Sequence, residues 1–520
     1  MPSLLEPHVD ADGAALAIRD ANGAISWTVL AQRVACWMNL LRRAGLHRGD
    51  CIACVLGNRR ETFEILLAAL HCGITVVPIN WHLTEPEIAY ILVDSGSRAV
   101  ITEATYAAVV SAAASHSPAT TVSLLLDGDP HPAFEHTAQA MNEVAAEGTV
   151  EQCCGSIMLY TSGTTGHPKG VINGLFVVGA PFSRVTKLTN YARVVLDVAP
   201  RGRFLLDGPW YHSSQLFFAL IALLQGNRLV IRPRFDPVRT LTTIDREQIT
   251  STHLVPTQLI RLLRTDPQIR RAFRGASLRR VWHGGGPCPE DVKRQMIDWW
   301  GPVFLEYYGA TEGGAVTLID SHDWLRRPGS VGRAVVPNEV HIIDDDGVAL
   351  PAGQAGRVHI RRASGHTFQY HNAPSKTQRA HLTPDMFTFG DIGYLDEAGF
   401  LFLTGRAQHL IISGGVNIYP AEVEAALASH PAVRDVAVVG LPDEEYGEKV
   451  AAIVEADPGA AQADTLPALL DAHCRRKIAG FKAPRAYYLV PRLPREATGK
   501  IRHDVLRGIW HSDAGRDTPS

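Results

Sequence analysis

The sequence predicts an α/β protein in which helices and strands alternate, as in a doubly wound parallel sheet. Residues 27–41 carry apolar side chains at helical spacing, and the apolar run 51–56 has the length of a buried strand. A second unit repeats this order, with a helical pattern over 61–71, a break at Gly73 and a β-branched strand over 75–79. This alternation favours a parallel sheet covered by helices.

Further strand-loop-helix units are expected along the following part of the chain. Their short apolar strands are predicted at 156–160, 204–206, 229–231, 253–255, 280–282 and 303–307. The apolar run 216–224 is too short to cross a membrane and is expected to form a core helix.

The pattern changes near Val340. Short strands then alternate with the turn sequences 344–347 and 396–399, each of which ends in glycine, and this predicts a β-rich subdomain. After Arg406 the pattern becomes mixed α+β, and the segment beyond Trp510 is expected to fray.

Length, composition and charge limit the possible structure and partners of the protein. The 520 residues exceed what one compact core holds, so two or more domains are expected. Hydrophobic residues make up 46% and charged residues 20%, which is typical of a folded soluble protein. The formal net charge of -3 gives no positive field for nucleic acid, so we expect no nucleic-acid partner. An anionic ligand must be bound by local donors.

The eight cysteines do not suggest a disulfide framework in a chain of this length. Cys51 and Cys54 lie in a predicted strand, and no second pair completes a zinc site, so buried structural thiols are favoured over a redox or metal pair. No signal peptide and no membrane span are expected, because the N-terminus lacks a basic region followed by an apolar stretch. The expected location is a reducing cytoplasm.

One segment is typical of a phosphate-binding loop. Residues 160–170 read Tyr-Thr-Ser-Gly-Thr-Thr-Gly-His-Pro-Lys-Gly and follow an apolar strand. Small residues let backbone N–H groups converge on an anion, hydroxyls add donors, and Lys169 supplies a point charge. The spacing is not that of a Walker loop, and taken alone the segment could also be a polar surface turn.

Four further motifs occur in order along the chain. They are Tyr307-Tyr308-Gly309-Ala310-Thr311-Glu312, Gly390-Asp391, Gly405-Arg406 and Thr498-Gly499-Lys500. Together with the loop they closely resemble the adenylate-forming superfamily of acyl-CoA synthetases, peptide-synthetase adenylation domains and luciferases. The resemblance covers about residues 27–506. It implies a large N-terminal domain, residues 1–405, with two doubly wound sheets and a β-barrel. It also implies a small mobile α+β C-terminal lid, residues 406–520, with a hinge near Gln408.

The resemblance implies an acyl-CoA ligase that uses a carboxylic acid, ATP, CoA and Mg²⁺. Its implied nucleotide-binding residues are Thr161, Ser162, Gly163, Thr164, Thr165, Gly166, Lys169, Gly284, Gly285, Gly286, Pro287, Tyr307, Tyr308, Gly309, Asp391 and Arg406. In this family the glycine-rich segment receives adenine, Tyr308 stacks on it, and Asp391 binds the ribose hydroxyls. Glu312 and Thr165 are the implied metal ligands.

The catalytic residues implied by the resemblance are Lys500, Glu312, Thr311 and His212. A carboxylate attacks the α-phosphate of ATP in the first half-reaction, so negative charge must be neutralised on the nucleophile and on the departing pyrophosphate. Lys500 would bridge the carboxylate and the α-phosphate oxygens, while Thr311 would contact the α-phosphate.

The acyl pocket is implied at Tyr211, His212, Ser213 and Gly309, with His212 at the gating aromatic position. A peptide-synthetase domain for α-amino acids would carry an aspartate where this chain has Ser213. The apolar segment 216–218 follows it. The pocket is therefore expected to accept an uncharged aliphatic, alicyclic or aromatic acid.

The segment 406–420 resembles that of thioester-forming members of the superfamily, and its implied CoA-binding residues are Ser413, Gly414, Gly415 and Asn417. Gly415 would line the tunnel for the pantetheine arm, where a larger side chain would obstruct it. Rotation of the lid between the two half-reactions is the implied mechanism.

Three positions depart from the family pattern. Gln408 occupies the hinge, His409 follows it where an acid is common, and Phe389 precedes Gly390-Asp391 where a threonine is usual. These departures leave open that the enzyme works mainly by thioesterification of a preformed acyl-AMP supplied by an adenylating partner. Two further alternatives are an acyl-AMP ligase that loads a carrier protein and a catalytically silent sensor. The retained Lys169, Glu312, Asp391, Arg406 and Lys500 argue against the sensor.

Overall fold

The structure is a computed structural model. It describes residues 1–138, 141, 152–161, 168–174, 176–363, 365, 367–406, 411–413, 416–443, 446–457, 465–496, 501, 502, 505 and 506.

Fifteen helices are present among the described residues. They are α1 Glu6–Asp12, α2 Trp27–Arg43, α3 Arg60–His71, α4 Glu85–Ser95, α5 Ala107–Ser115, α6 Phe182–Val195, α7 Ser213–Leu224, α8 Pro237–Glu247, α9 Pro256–Leu263, α10 Pro267–Ala272, α11 Glu290–Trp300, α12 Ser321–Arg326, α13 Pro374–Ala380, α14 Pro420–Ala428 and α15 Leu466–Lys477. Two short 3₁₀ turns cover Ala104–Tyr106 and Gly480–Lys482.

The described strands before residue 300 are β1 Leu16–Asp20, β2 Gly23–Ser26, β3 Cys51–Val55, β4 Thr75–Pro78, β5 Ser97–Thr102, β6 Val122–Leu125, β7 Glu135–His136, β8 Ser156–Thr161, β9 Lys169–Asn173, β10 Arg203–Leu206, β11 Arg228–Ile231, β12 Ser251–Leu254 and β13 Arg280–His283. Those that follow are β14 Phe304–Ala310, β15 Gly314–Asp320, β16 Ser330–Ala334, β17 Asn338–Ile343, β18 Gly356–Arg362, β19 Phe368–Tyr370, β20 His381–Thr383, β21 Met386–Phe387, β22 Asp391–Leu395, β23 Leu401–Arg406, β24 Ile411–Ser413, β25 Val416–Ile418, β26 Val433–Asp443, β27 Gly447–Ala456 and β28 Ala486–Val490.

Two large sheets form the N-terminal part of the molecule. In the first, β11, β10, β12, β13 and β14 run parallel to one another, and in the second β8, β4, β3, β5 and β6 do so. Because helices separate successive parallel strands and cover the sheets, their strands are buried on both faces, as in Val76, Val77 and Leu205. The predicted doubly wound α/β class is confirmed.

An antiparallel extension continues the first sheet. Strands β15 and β16 add to β14, and β23, β22, β18, β21 and β20 follow, with β17 paired to β18. The two predicted turns lie here and close with hydrogen bonds from Gly347 to Asp344 and from Gly399 to Asp396. This is the segment in which the resemblance implies a β-barrel.

The C-terminal part has its own core. Strands β24 to β28 form a separate sheet, in which β27 pairs with β24, β28 and β26, and β26 forms one edge as the other arm of the long hairpin β26–β27. Helices α14 and α15 pack on it through Val423, Leu427, Leu470 and Cys474, which are all buried. The predicted mixed α+β region after Arg406 is confirmed.

The predicted elements agree with the structure except at two places. The units at 156–160 and 303–307 were expected to continue into helices, but each continues into an antiparallel strand, β9 and β15 respectively. The prediction was wrong there because hairpin pairing with a buried neighbour outweighs the weak helical signal that follows. The run 216–224 lies in helix α7, as expected.

Two predictions about cysteines and membranes can be compared with the structure. All eight cysteines are free thiols, and Cys54 is buried in β3. Among the described residues, no helix has the length and apolarity needed to span a bilayer.

Candidate active site

One continuous cavity of about 4310 Å³ is lined by residues from both large sheets, from the antiparallel extension and from the C-terminal part. It lies at the carboxyl ends of several parallel strands, which is where open α/β sheets bind ligands. The predicted site residues that line it are Thr161, Lys169, Tyr211, His212, Ser213, Gly285, Gly286, Pro287, Tyr307, Tyr308, Gly309, Thr311, Glu312 and Asp391. The structure therefore brings together residues that are far apart in the chain.

The phosphate-loop segment connects two antiparallel strands. Thr161 at the end of β8 lies opposite Lys169 at the start of β9. The intervening Ser162, Gly163, Thr164, Thr165 and Gly166 lie outside the described residues. Burial and the nearby Lys376 lower the pKa of Lys169, and the carboxylate of Glu312 opposes this shift.

Glu312 and Lys169 share a neighbour. The hydroxyl of Tyr370 donates a hydrogen bond to Oε1 of Glu312 over 3.0 Å. The ammonium of Lys169 lies over the same tyrosine ring, 4.9 Å from its centroid. An acid, a cation and an aromatic hydroxyl therefore meet on one side of the cavity.

Tyr308 and Asp391 meet on another side. The hydroxyl of Tyr308 donates to Oδ2 of Asp391 over 2.8 Å, and both side chains are buried. The ring of Phe389, one of the three departures, packs edge-on to Tyr308 at 5.8 Å between centroids. Its ring also lies against Gly313, where an added Cβ would approach it to 2.6 Å. Phe389 thus fills the space behind the tyrosine.

The glycine-rich segment 284–287 begins at the end of β13. Gly284 is packed so closely that an added Cβ would lie 2.6 Å from the carbonyl oxygen of Tyr307. Gly284 itself does not line the cavity, whereas Gly285, Gly286 and Pro287 do. An exposed, side-chain-free backbone beside Tyr308 is suited to a flat aromatic base.

A buried polar chain lies beneath this segment. His253 contacts the hydroxyl of Tyr307 through Nε2 at 3.0 Å and the amide of Gln215 through Nδ1 at 2.9 Å. Burial lowers the pKa of His253 to about 3, so its ring is neutral at physiological pH. The ring of Phe218 stacks against it. This network fixes Tyr307 against helix α7.

The acyl motif 209–214 ends at the start of helix α7. His212 is the N-cap residue of that helix, and its ring lies 4.4 Å from that of Tyr211. Trp81 meets Tyr211 edge-on at 4.6 Å. The hydroxyl of Thr311 donates a hydrogen bond to the hydroxyl of Ser213 over 2.9 Å. Ser213, where an enzyme for α-amino acids would carry an aspartate, therefore has a neutral side chain with a hydrogen-bond partner.

Part of the final motif also reaches the cavity. Pro494, Arg495 and Glu496 are among its lining residues. Burial raises the pKa of the Tyr211 hydroxyl, and the negative charge of Glu496 adds to this shift. Tyr211 and Glu496 line the same cavity. Lys500 lies outside the described residues.

Of the predicted CoA-binding residues, the structure describes the side chain of Ser413 alone. Ser413 lies in β24, opposite Val416 and Gly447, and is not among the described residues that line the cavity. Gly414, Gly415 and the hinge Gln408 lie outside the described residues, as does His409. Only backbone positions are described for Asn417 in β25 and for Arg406, which lies opposite Asp391 in the β22–β23 pair.

Neither Tyr370 nor the buried pair Lys293–Glu306 was predicted from the sequence. Lys293 contacts Glu306 of strand β14 directly, and its ammonium lies over the ring of Trp324 at 4.7 Å. The pattern of apolar residues along the sequence does not reveal a buried charged pair of this kind.

Within the part of the chain that the structure describes, no group of three or more His, Cys, Asp or Glu side chains is placed to bind a metal by itself.

Known proteins resemble this chain over nearly its whole length. The profile of the AMP-binding enzyme family matches residues 5–369, and that of the AMP-binding enzyme C-terminal domain matches residues 422–500. The long-chain-fatty-acid–CoA ligase FadD13 of Mycobacterium tuberculosis is 34% identical over 92% of this chain and 91% of its own length. The 2-succinylbenzoate–CoA ligase of Geobacillus kaustophilus is 32% identical over 98% of both. The fatty acid–[acyl-carrier-protein] ligase ScoC of Streptomyces coeruleorubidus is 31% identical over 92% of this chain and 90% of its own length.

Solved structures share the fold. ATP-bound MatB from Rhodopseudomonas palustris superposes with a TM-score of 0.84 at 28% identity, covering 98% of this chain and 99% of that chain. The o-succinylbenzoate CoA synthetase MenE from Bacillus subtilis, in complex with its acyl-adenylate intermediate, gives a TM-score of 0.81 at 25% identity, covering 100% and 99%. The chain therefore belongs to the AMP-binding enzyme family, among the acyl-CoA ligases of the adenylate-forming superfamily.

Proposed function

We propose that this acyl-CoA ligase activates an uncharged aliphatic, alicyclic or aromatic carboxylic acid as acyl-AMP and transfers the acyl group to CoA. The observation that carries this proposal is the single cavity that Lys169, Glu312 and Asp391 share with Tyr211 and Ser213. A nucleotide bound among the first three residues would present its α-phosphate toward an acid held against the other two. Binding in the same cavity would hold the carboxylate of the acid close to the α-phosphate of ATP, as the first half-reaction requires.

The nucleotide would be bound in three parts. Lys169 and the hydroxyls of the loop 161–166 would contact the β- and γ-phosphates, because an ammonium and small donors suit a polyanion. Asp391 would accept hydrogen bonds from the ribose, with Arg406 beside it. Adenine would lie between the backbone of 284–287 and the ring of Tyr308. The 2.8 Å bond from Tyr308 to Asp391 supports this arrangement, since it joins the base and sugar positions.

In adenylation, the carboxylate oxygen attacks the α-phosphorus and the bond to pyrophosphate breaks. Lys500 would neutralise the carboxylate and α-phosphate oxygens as charge shifts between them. Thr311 would donate a hydrogen bond to the α-phosphate. His212 would close the acyl side of the site, since it caps helix α7 next to Tyr211.

A magnesium ion fits this site. Mg²⁺ in nucleotide sites is bound through one or two carboxylates together with phosphate oxygens and water. Glu312 lines the cavity beside Lys169 and offers such a carboxylate, and Thr165 would add a hydroxyl. Bound there, the ion would neutralise charge on the phosphates.

The acyl group would lie against Tyr211, Ser213 and Gly309. An added Cβ at Gly309 would approach the carbonyl oxygen of Gly314 to 2.0 Å, so the β14–β15 hairpin stays narrow beside the pocket. Ser213 carries no charge and is paired with Thr311. A neutral acyl chain would therefore leave no buried charge unpaired, whereas an α-ammonium would find no carboxylate partner at Ser213.

For thioester formation, CoA would be bound by Ser413, Gly414, Gly415 and Asn417. Ser413 does not line the cavity in this structure. A rotation of residues 406–520 relative to 1–405, about a hinge near Gln408, would bring the CoA segment to the acyl-adenylate and remove the final motif. The thiol sulfur would then attack the acyl carbonyl, and AMP would leave.

Two different activities also have specific support. ScoC is named as a ligase that acts on an acyl-carrier protein, so a carrier protein could replace CoA as the acceptor. Phe389, in place of the usual hydroxyl, packs on Tyr308 beside the nucleotide position. Slow adenylation, with acyl-AMP supplied by a partner, would follow if this ring impairs ATP binding.

Mass spectrometry with a panel of aliphatic, cyclic and aromatic acids tests the proposal. Each acid is incubated with ATP and Mg²⁺, with and without CoA, and synthetic acyl-AMP is supplied with CoA in a parallel reaction. Acyl-CoA from a free acid is the expected product. If acyl-CoA forms from acyl-AMP and CoA but not from the free acid and ATP, the enzyme works by thioesterification of a preformed adenylate. If the acyl group is transferred to a phosphopantetheinyl carrier protein and not to CoA, the enzyme is a carrier-loading ligase. Preferred use of amino acids would contradict the proposal.

A further inference from the structure

The side chain of Tyr370 lies between two oppositely charged residues. Its hydroxyl donates to Oε1 of Glu312 over 3.0 Å, and the face of its ring lies 4.9 Å from the ammonium of Lys169. The proposed function places one of these residues on Mg²⁺ and the other on the ATP phosphates. Tyr370 thus contacts both groups that would handle the departing pyrophosphate.

Strand pairing fixes the position of Tyr370 relative to Lys169. Tyr370 ends β19, which pairs antiparallel with β9, the strand that begins at Lys169. The backbone N–H of His371 donates to the carbonyl of Gly170 over 2.8 Å, and that of Tyr370 donates to the hydroxyl of Thr377 over 3.0 Å. The backbone at Tyr370 is therefore held beside β9, and from there its ring lies over Lys169.

A second set of contacts ties the same segment to β8, the other strand of the β8–β9 hairpin that flanks residues 162–168 and is called the phosphate hairpin below. The imidazole of His371 and the amide of Asn372 both contact the carbonyl of Asp94, at 2.9 and 3.0 Å. The carboxylate of Asp94 accepts a hydrogen bond from Tyr160 in β8 over 2.6 Å. The segment after Tyr370 is thus joined to both strands that flank the phosphate loop.

The electrostatics explain why a neutral aromatic hydroxyl suits this place. Lys169 and Glu312 are close enough for the carboxylate to affect the pKa of the ammonium, yet their described side chains form no direct ion pair with each other. A direct pair would satisfy both charges mutually, and both would then be less available to the nucleotide. Tyr370 gives the ammonium an aromatic face and the carboxylate a hydroxyl, which are weaker partners than full charges.

We propose that Tyr370 is a positioning residue for adenylation, which holds the carboxylate of Glu312 and the ammonium of Lys169 apart and directed at the Mg²⁺-bound polyphosphate. The inference rests on the proposed function, because that function places the nucleotide here. The contacts of Tyr370 that carry this role are those with Glu312 and Lys169. Its effect on the reaction is exerted through Glu312 and Lys169.

Two substitutions separate the two contacts. Tyr370→Phe removes the hydroxyl and keeps the ring over Lys169, while Tyr370→Leu removes both. Tyr394→Phe is the matched control, since Tyr394 also lines the cavity but stacks on Phe402, away from Glu312 and Lys169. Circular dichroism and the thermal midpoint check that each variant folds. If Tyr370→Leu does not fold, Tyr370→Phe carries the test.

The main measurement is calorimetric binding of a non-hydrolysable ATP analogue, with Mg²⁺ and with EDTA. In Tyr370→Phe, the dissociation constant with Mg²⁺ is expected to rise about 10-fold, because a hydrogen bond to a charged group is lost. The constant measured in EDTA should stay within about 2-fold of wild type, since Lys169 keeps its aromatic partner. Tyr370→Leu should weaken binding in both conditions.

Kinetics separate this inference from the proposed function. Acid-dependent ATP–pyrophosphate exchange by Tyr370→Phe should require more Mg²⁺, while acyl-CoA formation from synthetic acyl-AMP stays at the wild-type rate. Equal Mg²⁺-dependent affinity in wild type and Tyr370→Phe would overturn the inference and leave the ligase function intact. Absence of nucleotide binding and of exchange in wild type would overturn both. If Tyr370→Phe loses as much affinity for the ATP analogue in EDTA as in Mg²⁺, the inference would be overturned, because the role of Tyr370 would then be structural.

Discussion

The hydroxyl of Tyr308 donates a hydrogen bond to Oδ2 of Asp391 over 2.8 Å, although 83 positions separate the two residues in the chain. Tyr308 lies in β14 of the parallel sheet, and Asp391 begins β22 of the antiparallel extension. The bond therefore joins the two parts of the N-terminal domain at the proposed adenine and ribose positions. Loss of either partner should disturb nucleotide binding more than folding.

Asp391→Asn is expected to weaken both half-reactions, because ATP and acyl-AMP carry the same ribose. The loss should be about 10- to 100-fold in kcat/KM for ATP, the range for a hydrogen bond to a charged group. Tyr308→Phe keeps the ring and should cause a smaller loss, mostly in KM. Pyrophosphate exchange at varied ATP measures both. Equal effects of the two variants on kcat alone would contradict a ribose-binding role for Asp391.

Lys500→Ala is expected to separate the half-reactions. Adenylation should fall about 100- to 1000-fold, since one preorganised donor to the transition state is removed. Acyl-CoA formation from synthetic acyl-AMP should persist, because the role proposed for Lys500 is confined to adenylation. Rapid-quench assays of each half-reaction give the two rates, and Lys187→Ala, an exposed lysine of helix α6, is the matched control. Parallel loss of both half-reactions would argue against this assignment.

Much of the fold could be predicted from local patterns. The strand at 51–56 and the helix at 27–41 were recognisable because burial on both faces leaves a continuous apolar run and amphipathic burial leaves a helical period. The β8–β9 and β14–β15 hairpins were missed, since in each the second strand forms by pairing with a buried neighbour. Local propensity does not report such pairing.

Some residues of the candidate site could likewise be predicted from the sequence, and others could not. Lys169, Glu312 and Asp391 could be predicted because the motifs that carry them resemble those of the adenylate-forming superfamily, and the structure places all three on one cavity. Tyr370 was not found, because its contact with Glu312 depends on strand β19 pairing beside the phosphate hairpin. The same holds for the buried Lys293–Glu306 pair, whose members come from helix α11 and strand β14 and belong to no motif.

Gly415→Leu is expected to block thioester formation and spare adenylation. A branched side chain in the proposed pantetheine tunnel would exclude the CoA arm, while the ATP and acid positions are unaffected. Acyl-AMP should therefore accumulate on the enzyme and be detectable by mass spectrometry after quenching. Gly347→Leu would be a poor control because Gly347 has a positive φ of 83°. Ala398→Leu, in an exposed turn, adds the same side chain without that strain. Unimpaired acyl-CoA formation by Gly415→Leu would place the pantetheine arm elsewhere.

Ser213→Asp tests the preference for uncharged acids. The new carboxylate would lie beside the Thr311 hydroxyl without a cationic partner, so kcat/KM for a neutral acid should fall about 10-fold or more. Ser213→Ala removes only the hydroxyl and should cause a smaller loss. Competition between a neutral acid and its α-amino derivative measures the preference. An unchanged preference in Ser213→Asp would place the acyl group away from Ser213.

The neutral, buried His253 makes stability depend on pH. Its pKa is lowered from 6.5 to about 3 by burial, so between these values the unfolded chain binds a proton that the folded protein does not. Stability is therefore lost as pH falls below 6.5, by about 1.4 kcal/mol between pH 7.5 and 5.5 for one such group. His253→Gln keeps partners for Tyr307 and Gln215 but does not titrate. Urea unfolding at the two pH values should show a free energy that falls by about 1.4 kcal/mol less in the variant than in wild type. Equal pH dependence in both proteins would mean that His253 is not kept neutral by its burial.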